Sequence, residues 1–321
     1  MISHELISSP LQNRFVRFRY AAFAGLLLCL LSFAQMVFAQ SQRVPATITS
    51  DPAPDKENPA SMVTLQVPSH GSLLNGIVYV APGAGPNPVV VLLHGFPGNE
   101  KNLDLAQAIR RAGWDVLYFD YRGSWGSPGD FSFTHAMEDT QAAIAFLRDP
   151  ATAKKLRADP ARIVLIGHSM GGFMASYGAA QDPAIRAIGM ISAWDIGRDG
   201  LTSVNAGNEE EAVKPLAASL AEDGLSPLVG CTAESLAREI LANRSSWDFV
   251  DYAVKLAPRP VLITTSDDGL AASEGALADA LRKAGDAKVS LVHMATDHGY
   301  SDHRIALETA VIEWLESLPK T

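Results

Sequence analysis

From about residue 62 onward the apolar positions follow two alternating rhythms, short runs of strand spacing and longer runs of helical spacing. Met62-Val63-Thr64-Leu65-Gln66-Val67 predicts a strand and Gly76-Ile77-Val78-Tyr79-Val80 a second, bounded by Pro68, Gly71 and Pro82. Pro88-Val89-Val90-Val91-Leu92-Leu93 is apolar without interruption, as a strand covered on both faces must be. A helix over 103–112 stops at Gly113, and a strand over 114–119 follows. Next come a helix over 134–147, a strand over 162–166, a helix over 171–180 and a strand over 187–192. Late in the chain, strands over 260–264 and 289–294 alternate with helices over 271–284 and 305–318. This order implies an α/β fold, with a mostly parallel central sheet and helices on both faces. The rhythm lapses between Trp194 and Pro258, where helix-like stretches over 209–221 and 232–243 occur without a strand. Connections of that length are uncommon unless functional. A small helical cap insertion is therefore expected over about 194–258.

The N-terminus has a different character. Arg14, Arg17 and Arg19 precede an apolar run from Ala21 to Ala34, and Val37-Phe38-Ala39 offers small residues for cleavage after Ala39. That order predicts a signal peptide over 1–39 and an exported protein, periplasmic or secreted, with no stable membrane insertion after cleavage. The competing expectation is a membrane anchor through residues 21–39, although Gln35 interrupts its end. Residues 40–61, rich in Pro, Ser, Asp and Ala, predict a flexible linker, which leaves 62–321 as the folded domain. Of the two cysteines, Cys29 and Cys231, only the second remains after cleavage, so no internal disulfide can form. Removing 1–39 leaves 23 basic and 34 acidic residues, a net charge of −11. Such a surface argues against nucleic acid and anionic membrane as partners.

The chemistry centres on Gly167-His168-Ser169-Met170-Gly171, which fits G-x-S-x-G between the strand Arg162–Ile166 and a helix opening at Gly171. A sharp strand-to-helix turn forces the serine into a strained backbone region, which Gly167 and Gly171 tolerate for want of bulk. The turn exposes Ser169 Oγ as a nucleophile and sets the Met170 N–H at a helix start, where it can donate to an oxyanion.

With this motif in place, the chain from about Met62 to Leu318 resembles the α/β-hydrolase superfamily, in its esterase-like, prolyl-peptidase-like and dienelactone-hydrolase-like members. His94-Gly95-Phe96-Pro97-Gly98 is similar to that family's oxyanion loop and implies the Phe96 N–H as second donor. Asp120-Tyr121-Arg122-Gly123-Ser124-Trp125-Gly126-Ser127 resembles its Asp-x-Arg-Gly-x-Gly-x-Ser pattern. His94 and His168 are expected to shape turns rather than move protons. The resemblance implies the order serine, acid, histidine, so both partners lie downstream of Ser169. Asp267 and Asp268 both end the strand that starts at Pro260; Asp268, followed by Gly269, fits the family's acid better. Among His293, His298 and His303, the loop position of His298 matches the family's base. Its members with an aspartate or cysteine nucleophile are excluded by Ser169.

No Gly-rich phosphate loop and no metal-ligand cluster are present in the sequence, so neither cofactor nor metal is expected. Trp125, Trp194 and Trp247, with Phe249, are candidates to line an apolar substrate pocket. Glu209-Glu210-Glu211 could hold an ammonium group, but acids at a helix start have a simpler reason in the helix dipole. The function these readings imply is hydrolysis of a carboxylic ester or related acyl compound through an acyl-enzyme on Ser169. An exported aminopeptidase or dipeptidyl-type peptidase with the same residues is the alternative, and a non-catalytic binding protein of the same fold a further one.

Overall fold

The computed structural model describes residues 44–204, 208–285 and 288–319. The expected signal peptide and the start of the linker lie outside the described residues. Eight strands form one sheet: β1 (Ser61–Ser69), β2 (Ser72–Val80), β3 (Asn87–Leu93), β4 (Asp115–Phe119), β5 (Ala158–His168), β6 (Ala187–Ile191), β7 (Val261–Thr265) and β8 (Val289–His293). Their order is β1-β2-β4-β3-β5-β6-β7-β8. β1 pairs antiparallel with β2, and β2 with β4; every later pairing is parallel. The antiparallel pair is a hairpin through His70 and Gly71 (φ 44° and 83°). The remaining strands need helical crossovers.

The uninterrupted apolar run of β3 now has its reason. Val89, Val91 and Leu93 face one core, while Val90 and Leu92 face the other. β5 repeats this, with Ile163 and Leu165 on the first face and Val164 and Ile166 on the second. The second face is covered by α2 (Leu103–Arg111) and α11 (Arg304–Ser317), which contribute Leu105, Ile109, Leu307 and Val311. The first is covered by α3 (Phe133–Arg148), α5 (Met170–Gln181) and α10 (Ala271–Lys283). Each fully buried Val or Leu contributes roughly 1.5–3 kcal/mol.

Between Trp194 and Pro258 the described residues form helices and no strand of the sheet. α6 (Ile196–Val204), α7 (Glu209–Glu222) and α8 (Ala233–Asn243) precede a 3₁₀ turn (Phe249–Tyr252) and α9 (Ala253–Leu256). The segment is stapled to the body through the loop after β4. Gly123 O accepts from Val229 N–H at 2.8 Å, Val229 O from Phe131 N–H at 2.8 Å, and Pro227 O from Trp125 N–H at 2.9 Å. Glu239 of α8 accepts the Phe133 and Thr134 N–H groups at 3.0 and 2.8 Å, satisfying donors at the start of α3.

Three local features depart from the sequence pattern. The expected flexible linker contains a helical turn, α1 (Ala46–Thr49), whose carbonyls at Thr47 and Ile48 accept from the Arg111 guanidinium of α2. α4 (Pro150–Leu156) starts on the Asp149 cap and Pro150 and is too short to show a period. α6 begins directly at Ile196, where Gly197 and Gly200 allow close approach of the Arg244–Asp248 backbone and Ile240.

The Arg122 motif is a structural clamp. Asp139 of α3, fully buried, accepts from Arg122 N–H at 2.8 Å, Arg122 Nε at 2.7 Å and Ser69 Oγ at 2.6 Å. Removing one partner strands a buried charge. Asp139→Ala is expected to cost about 3–5 kcal/mol of stability, read as a lower denaturant midpoint; an unchanged midpoint would contradict the clamp.

Candidate active site

Ser169 stands between the end of β5 and the first turn of α5, with φ 57° and ψ −123°. A non-glycine residue there costs free energy, so its neighbours must over-determine it. They do. Ser169 N–H donates to Ile191 O at 2.9 Å, and Ser169 O accepts from Gly172 N–H at 2.9 Å and Trp194 N–H at 3.0 Å. A Cβ on Gly167 would overlap the Gly171 carbonyl, and one on Gly171 would overlap the Leu93 carbonyl, which explains both glycines.

The loop of residues 94–98 lies against this turn. A Cβ on Gly95 would stand 2.9 Å from Ser169 Cβ and 3.4 Å from its Oγ. That close approach sets the backbone carrying the Phe96 N–H beside the serine hydroxyl. The Met170 N–H, next along the chain from Ser169, is among the first helical donors, which have no partner within their helix. His94 shapes the loop: its Nδ1 lies 2.8 Å from Gly95 O and its ring packs on Tyr121, while burial lowers its pKa to about 4. It is therefore neutral near neutral pH.

Asp268 and His298 come together although they sit on different loops. His298 Nδ1 is 2.7 Å from Asp268 Oδ2, and Leu270 N–H donates to Asp268 Oδ1 at 2.9 Å. Burial alone would raise the Asp268 pKa; the His298, Leu270 and Ser266 hydrogen bonds instead hold it well below the usual range. Asp267 points outward and lies 3.3 Å from His293 Nε2, with both side chains more than half exposed. His303 pairs with Asp302 at 2.8 Å on the surface, ahead of α11.

His168 has a role that its sequence position did not reveal. Its Nε2 donates to His298 O at 2.8 Å, tying the histidine loop to the residue before Ser169. Burial, then the proximity of His298, lowers its pKa to about 3, so it stays neutral. On the far side of that loop, Arg304 donates to Gly299 O at 3.0 Å and to Asn102 Oδ1 at 3.0 Å. The His168–His298 and Arg304–Asn102 contacts have no local signature in sequence, since each joins residues far apart in the chain.

The three tryptophans separate. Trp194 is half-buried next to the Ser169 turn, its ring centroid 6.3 Å from Phe96 and 5.7 Å from Phe133. Trp247 does not line the pocket: it is 4% exposed and packs on Phe133 and Phe173, as core. Phe249 is likewise fully buried. Trp125 is 37% exposed, with Lys101 Nζ 4.4 Å from its ring and its Nε1 donating to Pro97 O at 2.8 Å. It links the loop of residues 94–98 to the 223–232 segment, whose Pro227 O accepts from its backbone N–H. Glu209 and Glu210 pair with Arg244 and Arg238, and Asn208 caps their helix, so the acidic start of α7 is occupied within the cap.

A mostly parallel sheet thus carries a serine on a strained strand-to-helix turn and, tied to that turn through His168, an Asp–His pair. The chain belongs to the alpha/beta hydrolase family, whose profile matches residues 90–310. It is similar to an uncharacterized protein of Mycobacterium tuberculosis, 30% identical over 150 residues, which are 46% of this chain and 52% of that one. An sn-1-specific diacylglycerol lipase of Xenopus tropicalis is 34% identical over 105 residues, 32% of this chain and 30% of the lipase. The chain thus spans about half or less of the length of these curated relatives. Among solved structures, a hyperthermophilic esterase from Pyrobaculum calidifontis superposes with a TM-score of 0.61 at 20% identity, covering 81% of this chain and 87% of that one. That likeness is one of fold. No helix among the described residues is long and apolar enough to cross a membrane.

Proposed function

We propose that the protein is an exported serine hydrolase that cleaves carboxylic esters through an acyl-enzyme on Ser169. The observation that carries this reading is the 2.7 Å contact of Asp268 with His298 Nδ1, on a loop tied to the Ser169 turn by His168. Asp268, ionised, fixes the Nδ1–H tautomer and leaves Nε2 as the base. His298 Nε2 takes the Ser169 proton as Oγ bonds to the ester carbonyl carbon. The carbonyl oxygen, now negative, is held by the Phe96 and Met170 N–H groups. His298 then passes the proton to the departing alcohol oxygen as the C–O bond breaks. Water, activated by His298 in the same way, splits the acyl-enzyme and restores Ser169.

Ester chemistry is favoured over amide chemistry by the surroundings of the nucleophile. Two apolar aromatics, Phe96 and Trp194, sit on the backbone segments that touch the Ser169 turn, and Glu209 and Glu210 of α7 are already paired with Arg244 and Arg238. The similarity to a diacylglycerol lipase points the same way. Export rests on the order of charge, apolar run and small residues before Gln40. The test sets a p-nitrophenyl ester panel beside aminoacyl-p-nitroanilides. Ester turnover with little anilide turnover is expected; the reverse ratio would establish the peptidase alternative.

A further inference from the structure

Three consecutive residues after β6, Ser192, Ala193 and Trp194, touch both arms of the site. Ser192 Oγ lies 2.8 Å from Ser266 Oγ, and Ser266 hydrogen-bonds the Asp268 carboxylate. Trp194 N–H donates to the Ser169 carbonyl at 3.0 Å. Between them, Ala193 N–H donates to Glu274 Oε1 at 2.7 Å. The Ala193 side chain also fills the space where Gly172 of α5 would carry a Cβ, 2.5 Å away. Ser192 itself has φ 41°, a strained value that its hydrogen bonds to Ser266 and, at 3.0 Å, to the Tyr300 hydroxyl help to hold.

Glu274 is a glutamate with no access to solvent, in the first turn of α10. Its Oε2 has no partner among the described residues. A buried carboxyl with one open oxygen is tolerated when it is uncharged. Burial, opposed by the Ala193 hydrogen bond and reinforced by the charge of Asp268, raises its pKa to about 8. The titratable groups facing it are Asp268, beyond β7, and Tyr300, beyond β8. Evolution of a core helix needs no acid at such a place, whereas a brace does: the Ala193 N–H is buried and requires an acceptor.

We propose that Glu274 is a positioning residue: by anchoring Ala193 it sets Trp194 on the Ser169 carbonyl and Ser192 toward the Asp268 arm, holding nucleophile and acid in register. The proposal rests on the reading of Ser169, Asp268 and His298 as the reacting set. Its chemical content is that the acceptor oxygen matters and the negative charge does not.

The experiment compares Glu274→Gln, Glu274→Leu and Glu274→Asp by steady-state ester hydrolysis and by the rate of fluorophosphonate labelling. Gln keeps a carbonyl acceptor for Ala193, and its kcat is expected within about threefold of the parent. Leu removes the acceptor, and kcat is expected to fall about 10²-fold with KM little changed, because a small misplacement of the nucleophile acts on the chemical step. Labelling slows in parallel. Asp withdraws the acceptor by one methylene and lowers kcat in the same direction; it decides the matter if the Leu variant does not fold. Folded Leu or Asp variants with parental kcat overturn the proposal, and so does a Gln variant as impaired as Leu. A parent protein that fluorophosphonate leaves unlabelled overturns the underlying reading of Ser169 together with the brace, whereas a labelled parent with indifferent variants overturns the brace alone.

A second readout tests whether the bracing carboxyl is neutral. A carboxyl whose pKa is raised in the folded state binds more protons there than in the unfolded chain, so stability falls as pH rises between the two values. The thermal midpoint of Glu274→Gln relative to the parent is therefore expected to climb from about pH 4.5 up to about pH 8 and then level off. A difference that does not change with pH would show a charged Glu274 and overturn the neutral brace.

Discussion

Ser169→Ala is expected to lower kcat for ester hydrolysis on the order of 10⁵–10⁶-fold, with the protein still folded. The loss is that large because nucleophile and base act as a unit: without Oγ, His298 has no proton to take and no acyl-enzyme forms. The fold should persist, because what holds the turn is backbone. Ser169 N–H bonds Ile191 O, and Ser169 O is held by Gly172 and Trp194 N–H groups, all of which alanine retains. Residual turnover above the uncatalysed rate would come from the Phe96 and Met170 donors, which still favour a developing oxyanion. The measurements are kcat on a p-nitrophenyl ester, fluorophosphonate labelling and the circular dichroism of the variant. A folded Ser169→Ala protein with activity near that of the parent would place the nucleophile elsewhere.

The second large effect separates two neighbouring carboxylates. Asp268→Asn is expected to lower kcat by about 10⁴-fold, because an amide facing Nδ1 favours the wrong imidazole tautomer and does not stabilise the imidazolium. Asp267→Asn should leave kcat within about threefold, as a change at an exposed surface group. The physical ground is burial. The Asp268 side chain is 5% exposed and 2.7 Å from His298, whereas Asp267 is 65% exposed and beside His293. Since the hydrogen bonds of Asp268 hold its pKa far down, it stays ionised throughout the working range. Protonation of Asp268 then makes no contribution to the acid limb of kcat/KM, and Asp267→Asn, a change at the surface, should leave that limb in place. If Asp267→Asn were the damaging change, the roles given to the two aspartates would have to be exchanged.

Much of the architecture was legible in the sequence because it is set by local periods. Uninterrupted apolar runs such as 88–93 announce strands covered on both faces, and the structure assigns their alternate residues to two cores. Some segments escaped: α4 is too short to carry a period, α6 is interrupted by Gly197 and Gly200, and α1 lies in a stretch read as flexible. α1 is held by the Arg111 guanidinium, a contact made across the fold that no composition rule detects.

The sequence by itself determined the strand-to-helix turn at Ser169, since Gly167, Gly171, the preceding apolar strand and the following helix are contiguous and their steric logic is local. The family resemblance then pointed to Asp268 and His298 as its partners. Only the tertiary structure sets their distance and burial, because these are properties of elements brought together from separate parts of the chain. It turned Asp268 inward and Asp267 outward, moved Trp247 from the pocket into the core, and set Trp125 to brace a loop. It also revealed His168 and Glu274 behind the reacting groups, where each makes a hydrogen bond to a residue distant in sequence. A glutamate in the first turn of a helix has an ordinary electrostatic reason to be there; only complete burial against the Ala193 N–H gives Glu274 another.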